Sequence, residues 1–509
     1  MNKIEWFNNK RMQIFSGIVA ICWIVFCTAI IMYATPRNYI EQFPGGDSTY
    51  FMYIGKAMKE GRLMYEGAWD SKGPFLFFLN YIAMMINEIW GVWLIRTVFM
   101  LVFFFALYKL LMLISGNLRQ SCIIMGVLML MLSAAIGEGN LSEEYSLAMI
   151  TISLYYFVQY IKKDYIEFHK IIICGILCGL TFLLRANMVI TWIIFATGIF
   201  IYMIWKKQGR QLVNYIFGFA IGLIISFLPF VLYFLAKGCL VEAWYASVVF
   251  NIKYCGTSSE SLFSMLMWVY HYLEKFNYIV ILVVFGCIIL GVLNSKKKTD
   301  KVKFFGIVFL IYIIASVAFV CMSLRRYNHY LMGLIPAMAV PGIVALKEGE
   351  VWLKNLLNQK TIVAFLSIIL TIVLNVSGLD IVKDNLEHYQ VISEQDNVYK
   401  QVGKYIRQNS EQSDTIYAHR MCGAVYLSSD RLSATKYFAL SAVNVDDFPE
   451  MSNQLFSDLK KNEPAFIVTQ DGRTSGVKTD ERLNKYIAEN YRLEKEFSNG
   501  IHVFGRMEE

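Results

Sequence analysis

The chain has 509 residues, of which 57% are apolar, 15% aromatic and 17% charged, with a formal net charge of +8. Soluble domains run at roughly 45–50% apolar and 25% charged, so the composition excludes a soluble globular protein and puts most of the chain in a bilayer. Eight Pro and the lack of any low-complexity tract exclude collagen-like, mucin-like and disordered classes.

Stretches of about 20 apolar residues predict about eleven crossings, beginning near Gln13, Val92, Ser121, Glu144, Lys170, Asn187, Leu212, Asn277, Phe304, Tyr330 and Thr361. The stretch from Pro74 to Trp90 is shorter and carries Asn80, Asn87 and Glu88, and Gly91 alone separates it from the next span. Basic residues decide its placement. If it lies in the interface, Lys3/Lys10/Arg11, Arg119, Lys162/Lys163/Lys170, Lys206/Lys207/Arg210, Lys296 to Lys298 with Lys301/Lys303, and Lys347/Lys354/Lys360 all fall on the cytoplasmic side. If it crosses, every cluster after the first span falls outside. The expectation is an interfacial helix.

The outer regions are then the loop 34–91, the turn GEGNLSEEY, the loop 237–276, the Arg325 to His329 turn and the polar tail 380–509. Strand-like runs at 415–418, 465–469 and 502–504 alternate with helical stretches around 398–407 and 451–461, which predicts a small extracytoplasmic α/β domain after a membrane domain 1–379. The fold class expected is a polytopic α-helical membrane protein with interfacial helices in its first outer loop. Most of the ten Cys lie in apolar runs, no CxxC occurs, and one bridge, Cys239 to Cys255, is conceivable.

Several outer residues can carry chemistry. Asp47, after the Gly pair of FPGGDSTY, is either an ordinary helix start or a base that takes a proton from an attacking hydroxyl. Glu138, Glu143 and Glu144 crowd seven residues, either as acids favourable at a helix start or as acceptor-positioning groups. Arg325, Arg326 and His329 sit where cations are disfavoured, so they pair with a lipid head group or hold a substrate phosphate. Lys72 and Arg185 lie near outer ends of apolar segments, with snorkelling the default for both, and Trp69, Trp93 and Trp244 read as belt residues. No zinc spacing and no P-loop occur, so energy for a reaction arrives with the substrate.

Taken together, GGDSTYFMYIGKAMKEGRLMYEGAWDSKGP, the GVWLIR span start, NLSEEYSL and RRYNHYLMGLIP resemble the GT-C class of integral-membrane glycosyltransferases, in the protein-mannosyltransferase-like and aminoarabinose-transferase-like (family 39-type) branch. The tail, with DTIYAHRMCGAVYLSSDR and NEPAFIVTQD, looks like the small C-terminal domain of bacterial members.

The resemblance implies a polyprenyl-phosphate sugar donor, extracytoplasmic work and inversion. It makes Asp47 the general base, Glu143 or Glu144 the acceptor-positioning acid, and Arg325, Arg326, His329 and more weakly Lys72 the donor-phosphate contacts. Protein-modifying relatives carry Asp-Glu in the first loop, whereas Ser48 follows Asp47 here, so a wall-polymer, glycan or lipid acceptor fits better than a protein.

No cofactor is specified by the sequence, and a divalent cation is possible. The outer acids could bind one, but no ligand set stands behind that reading. The partners expected are donor, acceptor and membrane lipids, with no nucleic acid. The location expected is a bacterial plasma membrane with a cytoplasmic N-terminus. The competing readings are a transporter or flippase of a lipid-linked glycan and a polysaccharide polymerase or ligase, of which the first predicts mid-membrane charges and inverted repeats.

Overall fold

The computed structural model describes residues 3–255, 260–357, 363, 376–440 and 443–507. The membrane part runs α1 (Lys3–Tyr33), α2 (Asp47–Lys59), α3 (Pro74–Ile86), α4 (Gly91–Ser115), α5 (Leu118–Ala135), α6 (Ser142–Lys163), α7 (Phe168–Leu184), α8 (Ile190–Trp205), α9 (Gly209–Ala236), α10 (Leu262–Lys275), α11 (Tyr278–Asn294), α12 (Asp300–Cys321) and α13 (Ile335–Leu357). Ten of the expected span starts fall at the beginnings of these helices or of their apolar parts; the eleventh, near Thr361, lies outside the described residues.

The count of eleven crossings is not reached by length and composition. Among the described residues seven helices are long and apolar enough to span, or eight if α10 and α11, bent by 92°, count as one. Two expected spans fall short for visible reasons. Helix α7 has 17 residues, and α6 is polar because its run from Ser142 to Thr151 is buried against other helices rather than lipid.

Helix α3 has 13 residues, so it reaches about 20 Å and is too short for a hydrocarbon core of about 30 Å. It stays separate from α4 because the Asn87 side-chain oxygen accepts from the Ile89 and Trp90 N–H groups at 2.9 and 3.0 Å, closing a turn. Gly91 then passes so close to the Ala83 carbonyl that a Cβ would collide with it.

The tightest helix crossing is between α7 and α9. Gly175 faces Gly222, Gly179 faces Ser226 and Gly218 faces Phe168 and Ile171, and a Cβ at Gly175 or Gly222 would strike the Phe219 or Ile172 carbonyl of the other helix. Lipid tails are as apolar as Leu, so close backbone approach through small residues supplies the packing energy that hydrophobicity cannot.

Helix α14 (Val376–His388) leads into the tail, which holds α15 (Val398–Gln408), α16 (Ala424–Ser429), α17 (Pro449–Asn462) and α18 (Val477–Asn490). Its five-stranded sheet is built from β1 (Thr415–Ala418), β2 (Leu432–Ser433), β3 (Phe466–Gln470), β4 (Tyr491–Phe497) and β5 (Ile501–Arg506), in the order β2-β1-β3-β5-β4. The β2-β1-β3 part is parallel and the β3-β5-β4 part antiparallel. Asn499 and Gly500, both at φ +62°, make the β4–β5 turn. Cys239 is a buried free thiol, and the Cys255 side chain, its conceivable bridge partner, lies outside what the structure describes.

This C-terminal domain packs on α2. The Ser433 N–H donates to the Tyr53 hydroxyl at 2.7 Å, Lys56 pairs with Asp430, and the Trp69 N–H donates to the Lys436 carbonyl at 3.0 Å. Tyr53 packs on Phe438 and Tyr426 with ring centroids 4.4 and 4.6 Å apart.

Candidate active site

Asp47 is the first residue of α2, where an acid is favoured by the helix dipole. Gly46 supplies no capping side chain, and the cap comes from across the fold. The Glu138 carboxylate accepts from the Ser48 N–H at 3.0 Å, while the Ser48 hydroxyl donates to the Gly139 carbonyl at 2.6 Å. A Cβ at Gly46 would strike that carboxylate, so glycine is needed for the approach. Burial first, then the neighbouring Asp47 charge, raises the Glu138 pKa from 4.5 to about 7. With Glu138 spent on the cap, the Asp47 carboxylate is left exposed and makes no side-chain hydrogen bond or ion pair among the described residues.

Asp47 opens into a cavity of about 140 Å³ that Asp70, Lys72, Tyr254, Tyr327 and His329 also line, with Ala439, Leu440 and Val443 of the C-terminal domain on its wall. Burial opposes the Lys72 charge, and Asp70, Tyr330 and Asp47 together outweigh it, leaving the Lys72 pKa raised; the Asp70 oxygen also accepts the Lys72 N–H at 2.9 Å. His329 stacks on Tyr327 at 5.5 Å and meets the Tyr330 edge at 4.7 Å. Trp69 is 8% exposed, so it is a cavity wall and not a belt residue; it packs on Phe250 at 4.8 Å.

Behind His329 lies a second group of charges. Glu143 is 1% exposed, pairs with Arg185 and sits 3.9 Å from His329 Nε2. The Arg185 guanidinium lies 4.0 Å over the Tyr330 ring, and Tyr330 lines both the main cavity and a smaller cleft that holds Glu143 and Arg185. Arg185 therefore belongs to the site rather than snorkelling. The short break after α7, where Arg185 is extended before the 3₁₀ turn Ala186–Val189, turns its side chain toward Glu143.

Three of the residues singled out from sequence stand away from the main cavity. Glu144 is fully buried on the other side of α6, where the Arg96 Nε donates to both its oxygens at 3.0 Å and the Asn140 N–H donates at 2.6 Å. Arg96 also donates to the Tyr39 hydroxyl at 2.8 Å and the Thr35 hydroxyl at 2.9 Å. The hydrogen bonds of this fully buried pair run to groups inside the protein, which fits holding the outer loops together rather than orienting an acceptor. Arg326 turns outward to Glu260 at 2.9 Å. The Arg325 guanidinium lies 4.2 Å over the Tyr254 ring, and Tyr254 rather than Arg325 lines the cavity. Among the described residues no group of three or more His, Cys, Asp or Glu is arranged to hold a metal ion.

Solved structures share this architecture. ArnT from Cupriavidus metallidurans in the apo state aligns with a TM-score of 0.65 at 12% identity, over 96% of this chain and 98% of that one. The same protein bound to undecaprenyl phosphate aligns at 0.61 and 12% identity, over 97% and 98%. An Archaeoglobus fulgidus oligosaccharyltransferase in complex with Zn and sulfate aligns at 0.51 and 12% identity, over 88% of this chain and 68% of that one. No curated protein sequence matches the chain. The chain thus shares the fold of ArnT and, more distantly, of this oligosaccharyltransferase, the fold that the sequence resemblance implied. The chain belongs to the family described as "Putative competence-induced protein Ccs4", matching its N-terminal domain over residues 8–351 and its C-terminal domain over 394–504.

Proposed function

We propose that the protein transfers a sugar from a polyprenyl-phosphate donor to an extracytoplasmic glycan, wall-polymer or lipid acceptor, with inversion and with Asp47 as general base. The observation that carries this reading is that an uncommitted carboxylate, Asp47, shares one cavity with Lys72 and His329. The GT-C fold, and a neighbour of that fold whose structure holds undecaprenyl phosphate, support it.

In this scheme the acceptor O–H gives its proton to Asp47 as its oxygen bonds to the anomeric carbon. The bond from that carbon to the phosphate oxygen breaks, and the electron pair leaves with the lipid phosphate. Lys72 and His329 face that developing charge, with the Arg185–Glu143 pair behind His329 setting its position. The donor linkage supplies the driving force, so the scheme calls for no further cofactor. Aromatic walls at Trp69, Tyr254 and Tyr327 suit the sugar faces and the first isoprene units.

The basic loops support a cytoplasmic N-terminus and an outer face carrying the cavity, with 380–509 as the extracytoplasmic module over it, in a bacterial plasma membrane. The test is mass spectrometry of lipids retained by detergent-purified protein, followed by transfer from a labelled polyprenyl-phosphate sugar. Retention of that donor by wild type, its loss in Lys72→Met, and retention without transfer in Asp47→Asn support the proposal. Retention of bulk phospholipid alone overturns it. Lipid movement that persists in Asp47→Asn vesicles, with no sugar transferred by wild type, favours a flippase instead.

A further inference from the structure

A cavity larger than the one that holds Asp47 lies elsewhere in the bundle. About 1080 Å³ opens at the opposite end of the bundle, between the C-terminal ends of α6, α8 and α11, the start of α12 and α13. Glu143 and Lys162 mark the two ends of α6, and at about 1.5 Å per residue they stand about 28 Å apart, the depth of a hydrocarbon core. The second cavity therefore faces the other leaflet.

Its rim is basic and its walls are apolar. Lys296, Lys297 and Lys298, on the exposed loop between α11 and α12, form no ion pair among the described residues, and Lys162, Lys206 and Lys301 join them around the opening. Only part of this charge is answered internally: Lys301 pairs with Asp164 at 2.5 Å, and Lys162 donates to the Leu113 carbonyl. The Lys206 ammonium lies 4.9 Å over the Trp205 ring, which leaves its charge in place. Asp300, the first residue of α12, and Glu348 of α13 also line the opening, so with Asp164 three acids stand against six lysines and the rim keeps a net positive charge. Below the rim, Ile289 and Val292 of α11 face Phe305 and Phe309 of α12.

We propose that this groove binds an anionic phospholipid of that leaflet, with its phosphate on the Lys296–Lys298 loop and an acyl chain between α11 and α12. A soluble phosphate would satisfy the lysines but leave the half-buried Ile288, Val292 and Phe309 of the wall uncovered. A zwitterionic lipid would fill the walls and bring a cation to a basic rim. The outer faces of both helices are lipid-facing, with Leu290 58% and Ile311 47% exposed, so a chain enters sideways from the bilayer. The inference uses only the membrane-spanning fold, and stands or falls apart from the proposed transfer reaction.

The test is native mass spectrometry of the full chain extracted from vesicles of equal phosphatidylglycerol and phosphatidylcholine. Wild type is expected to retain phosphatidylglycerol selectively, and Lys296→Gln/Lys297→Gln/Lys298→Gln to lose that selectivity by at least about tenfold. Val292→Trp, which keeps every charge and fills the groove, should also release the lipid, whereas Asp47→Asn should keep it. Equal retention of both lipids by wild type, unchanged retention in the triple variant, or displacement by millimolar inorganic phosphate would overturn the proposal. Loss of phosphatidylglycerol binding with donor retention intact would leave the active-site reading standing.

Discussion

The Glu138 carboxylate caps the helix that begins with Asp47, accepting the Ser48 N–H at 3.0 Å from a loop 90 residues away. Its pKa is raised from 4.5 to about 7 by burial and by the Asp47 charge, so folding takes up a proton between those two values. Stability from this group is complete below about pH 4.5 and falls as pH rises through 7. Glu138→Gln, which stays neutral, should flatten that fall, a difference of at most about 3 kcal/mol across the interval. Thermal unfolding in detergent from pH 4 to 8 checks it; parallel pH profiles for the two proteins would show that Glu138 does not titrate in this range.

Asp47→Asn should leave folding and donor retention intact and reduce transfer by at least about a hundredfold, since the carboxylate faces the cavity and supports no other contact among the described residues. Single-turnover transfer from a labelled donor measures this. Turnover within a few-fold of wild type would remove Asp47 as the base.

The buried Arg96–Glu144 pair predicts the opposite pattern. Removing one partner with Arg96→Met strands a buried carboxylate and should cost about 3–5 kcal/mol. The loss would appear as a lower unfolding temperature and poor insertion. Glu143→Gln, at the neighbouring position, should keep stability closer to wild type and impair transfer, because, of its partners, His329 lines the main cavity and Arg185 the adjoining cleft. Comparing unfolding temperature and transfer rate in both variants separates the two acids. Similar losses of stability in both would erase the distinction.

What was legible in the sequence follows from range. Apolar runs set ten of the span starts, because a span's burial is a property of its own 20 residues. The Asn87 turn and Gly91 carried a local signal too, and α3 lies where that signal put it. The close approach of Gly175 to Gly222 carried no such signal, because a glycine within an apolar run does not say which helix it meets. Strand β4 gives no alternation because it is an exposed edge strand from Arg492 to Glu496, and the Asn499–Gly500 turn was its better marker. The Glu138 cap, the division of labour between Glu143 and Glu144, and the outward turn of Arg326 all depend on partners 40 to 90 residues away, which no local pattern reveals.

Arg326 and Lys72 give the last contrast. From sequence both are cations near an outer surface, and the Arg doublet had the stronger claim on a phosphate. In the structure Arg326 is exposed and pairs with Glu260, whereas Lys72 lines the Asp47 cavity and Asp70 helps hold its proton. Exposed pairs contribute roughly 0–1 kcal/mol, so Arg326→Ala should change donor affinity by less than about fivefold. Lys72→Met removes a partly desolvated charge from beside the proposed leaving group and should raise the donor KM at least about tenfold, with kcat falling as well. Donor titrations with the two variants decide between them. A large loss in Arg326→Ala with Lys72→Met unaffected would move the phosphate out of this cavity and toward the Arg325–Arg326 turn.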